Sequence, residues 1–190
     1  MRKFTVVLDA CTLYPAPLRN MLMHLIMTGL FQGRWSNQIH DEWIRNLLIK
    51  RPDISEEKLE RVRFLMDSHV PDCLVTGHEC LISGLDLPDV DDRHVLAAAI
   101  KSNAEHIITF NLKDFPDDYL NKFGISAVHP DDFLSDMYEL SPNKCLEAIS
   151  KYMSQNKNPK LTYQEMIEML EKQGLVRFAS KMISFRAIFE

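Results

Sequence analysis

The chain opens on a short run, Phe4-Thr5-Val6-Val7-Leu8, that is apolar or β-branched almost throughout and then stops at a carboxylate, Asp9. Near-continuous hydrophobicity over so few residues suits a strand covered on both faces, as in a parallel sheet. Helical periodicity follows at 18–30 and 37–49, with Ser36 or Asn37 as the cap of the second helix, and a third helix opens at Ser55-Glu56-Glu57. Cys73-Leu74-Val75 reads as a short strand, 84–90 as a turn rich in Asp and Pro, and 91–103 as a helix carrying Val95-Leu96-Ala97-Ala98-Ala99-Ile100. A buried strand over 106–110, a loop, a short helix over 117–123, a last strand over 125–128 and a helix opened by Pro130 complete the pattern. Strands alternating with helices predict an α/β domain of three layers, with a central parallel sheet flanked by helices. Beyond it, 145–153, 163–170 and 175–185 all read as helical, with Lys157-Asn158-Pro159 between the first two. The expected division is a domain over 1–138 and a C-terminal helical extension over 139–190.

With 190 residues, 46% of them hydrophobic and 26% charged, the chain has the composition of an ordinary globular protein, which excludes disordered and fibrous classes. No apolar run reaches the roughly 18–20 residues that span a bilayer, and Met1-Arg2-Lys3 leads straight into the strand without a signal-peptide core. A cytoplasmic protein that makes no use of a membrane is the expectation. The cysteines, Cys11, Cys73, Cys80 and Cys145, form no C-x-x-C pair and read as reduced thiols. Residues 1–149 hold 15 Lys/Arg against 23 Asp/Glu, a balance of −8, whereas 150–190 hold 7 against 4, a balance of +3. An acidic body argues against strong nonspecific binding of nucleic acid, but carboxylates gathered around a cation leave a chain acidic while its working site is cationic.

In an open α/β sheet, ligands bind outside the carboxyl ends of the strands. Asp9 ends the first strand, Asp92 begins the Ala-rich helix, Asp114 lies in the loop after Ile107-Ile108, and Glu42 sits on the second helix. Each has a plain structural reading taken alone: Asp9 and Asp91 or Asp92 as caps, Glu42 as a solvated helix face, Asp114 as a loop acid. Together they form a set of hard oxygen ligands that suits Mg²⁺ or Mn²⁺ and the hydrolysis of phosphate esters.

At this point the sequence resembles the PIN-domain family of small metal-dependent nucleases. Val6-Val7-Leu8-Asp9-Ala10-Cys11-Thr12-Leu13 is similar to the family's first strand with its metal-binding Asp, and Glu42 within Ile39-His40-Asp41-Glu42-Trp43 to the Glu of its second motif. The strongest likeness is Leu87-Pro88-Asp89-Val90-Asp91-Asp92-Arg93-His94-Val95-Leu96-Ala97-Ala98-Ala99, in which Asp92 matches the metal-binding Asp. Ile107-Ile108-Thr109-Phe110-Asn111-Leu112-Lys113-Asp114-Phe115 resembles the closing motif, and Pro130-Asp131-Asp132-Phe133-Leu134 a sequel found in one bacterial branch. Many members carry Asp where this chain has Asn111, and Asp114 is read as taking over that carboxylate role. The resemblance spans about residues 4–135. It implies a PIN-like fold, RNA as substrate, a cognate antitoxin protein as partner to a toxin of this kind, and a homodimer.

The expectation is a ribonuclease in which Asp9, Glu42, Asp92 and Asp114 hold one or two Mg²⁺ or Mn²⁺ ions and an activated water attacks a backbone phosphate. Thr12, Thr109, Asn111, Arg93 and Lys113 are candidates to orient carboxylates or contact substrate, with Arg19 and Arg45 as further phosphate contacts and Asn20, Trp43 and Phe110 near bases. His94 is read as a packed or surface histidine, and the Met-rich stripe of the extension as helix packing or a partner-binding face. Two alternatives remain. A phosphatase of the haloacid-dehalogenase type needs a second Asp where Cys11 stands. A noncatalytic PIN-fold module that binds RNA or protein is favoured only by Asn111.

Overall fold

The N-terminal apolar run forms β1 (Thr5–Leu8), and all four of its residues are buried. The computed structural model describes residues 4–155 and 160–185. After β1 come α1 (Ala10–Leu13), α2 (Ala16–Met27), β2 (Gln32–Ser36), α3 (Asn37–Lys50), α4 (Glu56–His69), β3 (Leu74–Val75), α5 (Glu79–Ile82), α6 (Arg93–Lys101) and β4 (His106–Ile108). A 3₁₀ turn at Leu112–Asp114, α7 (Asp117–Leu120), a second 3₁₀ turn at Asn121–Phe123 and β5 (Ser126–Val128) follow, and then α8 (Pro130–Leu140), α9 (Pro142–Gln155), α10 (Tyr163–Lys172) and α11 (Val176–Ile183).

The five strands make one parallel sheet in the order β3-β2-β1-β4-β5. Because every strand runs the same way, all five carboxyl ends lie on one edge. Strand order reverses at β1, so the crevice between the ends of β1 and β4 is the topological switch point. Val95 to Ala99 of α6 are buried, and this helix packs against β1, β2 and β4. The Ala triplet lets its backbone lie close to the sheet, while Trp35 and Trp43 fill the space near α3.

The sheet and its flanking helices are the expected α/β architecture. Three elements were not anticipated: α1, a single turn of four residues too short to carry periodicity, β2 and α5. β2 was hidden because Gly33 and Arg34 interrupt its apolar pattern, although Trp35 and Ser36 are fully buried. The single turn α5 has no buried residue and so carries no periodic signal. The Lys157-Asn158-Pro159 break lies outside the described residues.

The chain divides into two compact units, one of Met1–Tyr14 and Phe31–His129, the other of Pro15–Leu30 and Pro130–Glu190. The first holds the sheet. In the second, α2 packs on α9, α8 on α9 and α11, and α10 on α11. Its core includes Met166, Met182, Leu170 and Phe178, all fully buried. The Asp131 carboxylate, on α8, accepts hydrogen bonds from the backbone N–H groups of Arg177 (2.9 Å) and Phe178 (2.8 Å), satisfying two donors in the first turn of α11. Thr162 and Glu165 form a reciprocal capping box that starts α10. No helix among the described residues is long and apolar enough to cross a membrane.

Candidate active site

The floor of the switch-point crevice is Asp9. It follows β1 in an extended conformation (φ −69°, ψ 157°) and caps α1, with Oδ1 accepting from the Ala10 N–H at 2.6 Å. Oδ2 accepts from the Thr109 hydroxyl at 2.7 Å and from the Cys11 thiol at 3.0 Å. Thr109 reaches it because β4 lies beside β1; the Asp9 N–H donates to the Ile108 carbonyl at 3.1 Å. The cap and a metal-facing position are therefore compatible on one residue, since the two oxygens have different surroundings. Burial pushes the Asp9 carboxyl pKa up; the Cys11 and Thr109 hydrogen bonds act against this, and the Glu42 charge reinforces it.

The rim is built from loops. Asp92 stands at the start of α6, but its backbone is already helical (φ −83°, ψ −7°) and its side chain makes no capping hydrogen bond. Its Oδ2 is buried and has no partner among the described residues. One carboxylate oxygen from each of Asp89, Asp92 and Asp114 falls within a group whose members all lie within 4.8 Å of one another. Asp114 is held in the turn after β4 by the Asn111 side-chain amide, which donates to its Oδ2. The Asp92 carboxyl is pushed up to about 7, first by burial and then by the charges of Asp9, Asp89, Glu42 and Asp114. Acids from four stretches of sequence thus act on one carboxyl.

Glu42 arrives on α3. The Ser36 hydroxyl accepts from the Ile39 N–H at 3.2 Å and starts the helix. Below Glu42, the buried His40 fixes the helix against its surroundings. Trp43 Nε1–H donates to His40 Nδ1 at 3.0 Å, which leaves Nε2–H to donate to Asp67 Oδ1 at 3.0 Å, and Trp35 Nε1–H donates to the same oxygen at 2.8 Å. Burial lowers the His40 pKa, in keeping with this neutral tautomer. His94 Nε2 lies 3.2 Å from Glu42 Oε2, so this histidine faces the acids instead of packing away from them.

Asp92 and Asp114 thus share a group with Asp89, and the charges of Asp9 and Glu42, which are not part of that group, reach Asp92; Thr109 is hydrogen-bonded to Asp9 and Asn111 to Asp114. Thr12 is fully buried and donates its hydroxyl to the Ile108 carbonyl at 2.8 Å, tying α1 to β4. Arg93 lies 3.6 Å from Asp86, and Lys113 and Arg45 are exposed. Arg19 is buried in the second unit, 4% exposed, and not displayed to a phosphate. Sequence reasoning missed Asp89, Cys11 and His94 as neighbours of the site. Asp89 had a readable signal, three residues before Asp92 in the same turn; Cys11 sits two residues after Asp9 in the helical turn that Asp9 caps. His94 stands two residues after Asp92, which made a general-base role conceivable beside the packed or surface reading, but its orientation toward Glu42 depends on where α3 lies.

The donor set fits a hard dication. Every candidate ligand is a carboxylate oxygen, one of them buried and without a partner among the described residues. A nearby sulfur, Cys11, has its pKa pushed up to about 12 by burial and by the Asp9 charge, so without a metal it is a thiol that donates to Asp9. Oxygen-only donors suit Mg²⁺ or Mn²⁺ better than Zn²⁺.

The family described as PIN domain matches residues 5–113, and the family described as VapC50 C-terminal domain matches residues 130–182. The second match begins at Pro130, where α8 and the second unit resume. A protein of Mycobacterium tuberculosis described as "Putative ribonuclease VapC50" is 42% identical over 105 residues, which is 55% of this chain and 61% of that protein. The chain therefore spans less than two thirds of that relative's length. No solved structure matches the chain. With more than half of its length matched, and with the acids of that stretch gathered at the switch point of its sheet, the chain belongs to the PIN-domain family.

Proposed function

We propose that the chain is a ribonuclease dependent on Mg²⁺ or Mn²⁺, hydrolysing RNA phosphodiester bonds internally, and the toxin of a type II toxin–antitoxin pair. The observation that carries this reading is the field at Asp92: a carboxyl raised to about 7 by burial and four neighbouring acids, with an oxygen that has no partner among the described residues. Such a cluster is costly without a cation and stable with one. Asp9, Glu42, Asp92 and Asp114 are the proposed metal-holding and catalytic residues, with Asp89 beside them. A dication held there supplies charge against the phosphate and lowers the pKa of a water.

The chain's own groups set the geometry. Thr109 holds Asp9 Oδ2 in one orientation, His94 does the same for Glu42, and Asn111 for Asp114. Fixing carboxylates this way reduces the reorganisation required when substrate arrives. Arg93, next to Asp92, and Lys113, next to Asp114, are the proposed phosphate contacts, and the Thr12 hydroxyl, committed to Ile108, acts by pinning the strand ends. In this reading residues 1–138 form the nuclease domain and 139–190 a helical extension. A cytoplasmic antitoxin protein covers the acidic crevice, and two copies of the chain form a homodimer.

The test is cleavage of a single-stranded RNA in Mn²⁺ and in EDTA. Asp9→Ala and Asp92→Ala should abolish turnover, by about 10³-fold or more, with circular dichroism unchanged. Normal turnover by either folded variant overturns the assignment. A second reading, a PIN-fold module that binds without cutting, draws on Asn111 standing where many members have Asp. A calorimetric Mn²⁺ titration compared with Asp92→Asn separates the two, since the module binds no metal.

A further inference from the structure

Beside the acids lies a groove whose wall, apart from Glu42, the proposed chemistry leaves unused. It encloses about 400 Å³ and is lined by Cys11, Tyr14, Glu42, Asn46, Ile49 and Lys50. Four of these come from one helix. Positions 42, 46, 49 and 50 of α3 share a face by the i, i+4, i+7, i+8 rule, and Tyr14 closes the groove from the C-terminal end of α1. The wall is graded in charge. It begins at Glu42, within the acidic field, and ends about 12 Å further along the helix at Lys50. The Lys50 ammonium sits 5.5 Å from the centroid of the Tyr14 ring, and the Ile49 side chain beside it is 72% exposed.

We propose that this groove is a nucleotide subsite, which receives the residue of a single-stranded RNA next to the phosphate being cut. This rests on the nuclease reading of the acidic site and names what the substrate does beside it. A phosphodiester at Glu42 must continue along one wall or the other, and this wall offers the three groups a nucleotide uses. Tyr14 provides a ring for stacking, Ile49 an apolar flank, and Lys50 a cation for the next phosphate. Asn46, between the two ends, presents both a donor and an acceptor to a base edge. Stacking on a ring already paired with a cation is sequence-tolerant, whereas the amide makes the subsite selective. Lys50 also attracts a phosphate without a metal, which the acidic cluster does not.

The test uses the full chain and a fluorescein-labelled single-stranded RNA of about ten nucleotides. Anisotropy in EDTA reads binding, and cleavage in Mn²⁺ reads KM and kcat. Tyr14→Ala should weaken binding about tenfold and raise KM more than it lowers kcat, while Tyr14→Phe restores affinity. Lys50→Glu should weaken binding and reduce the slope of log affinity against log salt by about 0.7, the value for one phosphate contact on a single strand. Lys122→Glu, the same charge change at an exposed position outside the groove, should leave affinity unchanged. Folded Tyr14→Ala and Lys50→Glu proteins that bind and cut like the parent remove the subsite and leave the nuclease reading standing. A parent chain that binds RNA through Tyr14 and Lys50 but never cuts keeps the subsite and removes the nuclease reading. A parent chain that does not bind RNA at all removes both.

Discussion

Asp9 and Asp92 belong to one site and are solved in opposite ways. Asp9, on the floor, is 3% exposed and has partners for both oxygens: a backbone N–H, a hydroxyl and a thiol. Asp92, on the rim, is only partly buried, yet one oxygen is closed off without a partner among the described residues, and four other acids act on it. The floor carboxylate is already integrated into the fold and would be held in place with or without a cation. The rim carboxylate is the group whose environment remains incomplete. In a charged cluster of this kind, fold stability and ligand demand are borne by different residues.

The sharpest way to break that comparison is to neutralise each acid without changing its shape. Asp92→Asn should lower Mn²⁺ affinity by about 100-fold or more in calorimetry, yet raise the melting temperature of the metal-free protein at pH 8. Removing a repelled, desolvated charge stabilises the fold. Asp9→Asn should lose metal binding as well but gain little stability, because an amide keeps one acceptor oxygen and turns an NH₂ group, which cannot accept, toward the donors of the other. If both variants melt alike, the floor and the rim are not distinct.

Thr109→Val tests the floor alone and should have an intermediate effect. It leaves a buried carboxylate oxygen short of a donor, so unfolding free energy should fall by about 2 kcal/mol in urea titrations. Metal affinity should fall by about 10-fold, through the loss of orientation. A variant as stable as the parent would mean that the Cys11 thiol suffices for Oδ2.

The fold was legible in the sequence to the extent that periodicity carries it. Runs such as Val6-Val7-Leu8 and Val95 to Ala99 are apolar because both faces of the sheet are covered, and they sit where read. Asp9, Glu42 and Asp92 were legible as a set because strand ends and helix starts converge on one edge of a parallel sheet. What sequence did not carry was orientation across elements. The contact of His94 with Glu42 needs the packing of α6 beside α3, and the His40–Asp67–Trp35 network joins three elements whose spacing no local pattern records. Asp89 is a different case, since its separation from Asp92 was visible and only the shape of the turn was not.

A smaller effect concerns pH in the metal-free state. The Asp92 carboxyl is raised to about 7 from its ordinary 3.8, so the folded chain holds a proton that the unfolded chain has released. Its contribution to stability is therefore complete below about 3.8 and is lost as pH rises through 7. Melting temperature in EDTA should fall between pH 5 and pH 8. The decline should flatten in Asp92→Asn, and in the parent when Mn²⁺ is added. A decline unchanged in Asp92→Asn would assign the titration to another group.

The smallest expected change separates two cysteines. Cys11 contacts Asp9 and Thr109, and its pKa is pushed up to about 12, whereas Cys80 is exposed. Only a thiolate is alkylated at a useful rate. Iodoacetamide at pH 8 should therefore label Cys80 and spare Cys11, as read by mass spectrometry of the digested protein, with no change in RNA cleavage. Cys11→Ser should likewise keep turnover within about twofold, since a hydroxyl donates to the same carboxylate oxygen. Rapid labelling of Cys11 would show a thiolate beside Asp9, and the oxygen-only character of the floor would have to be abandoned in favour of a softer metal.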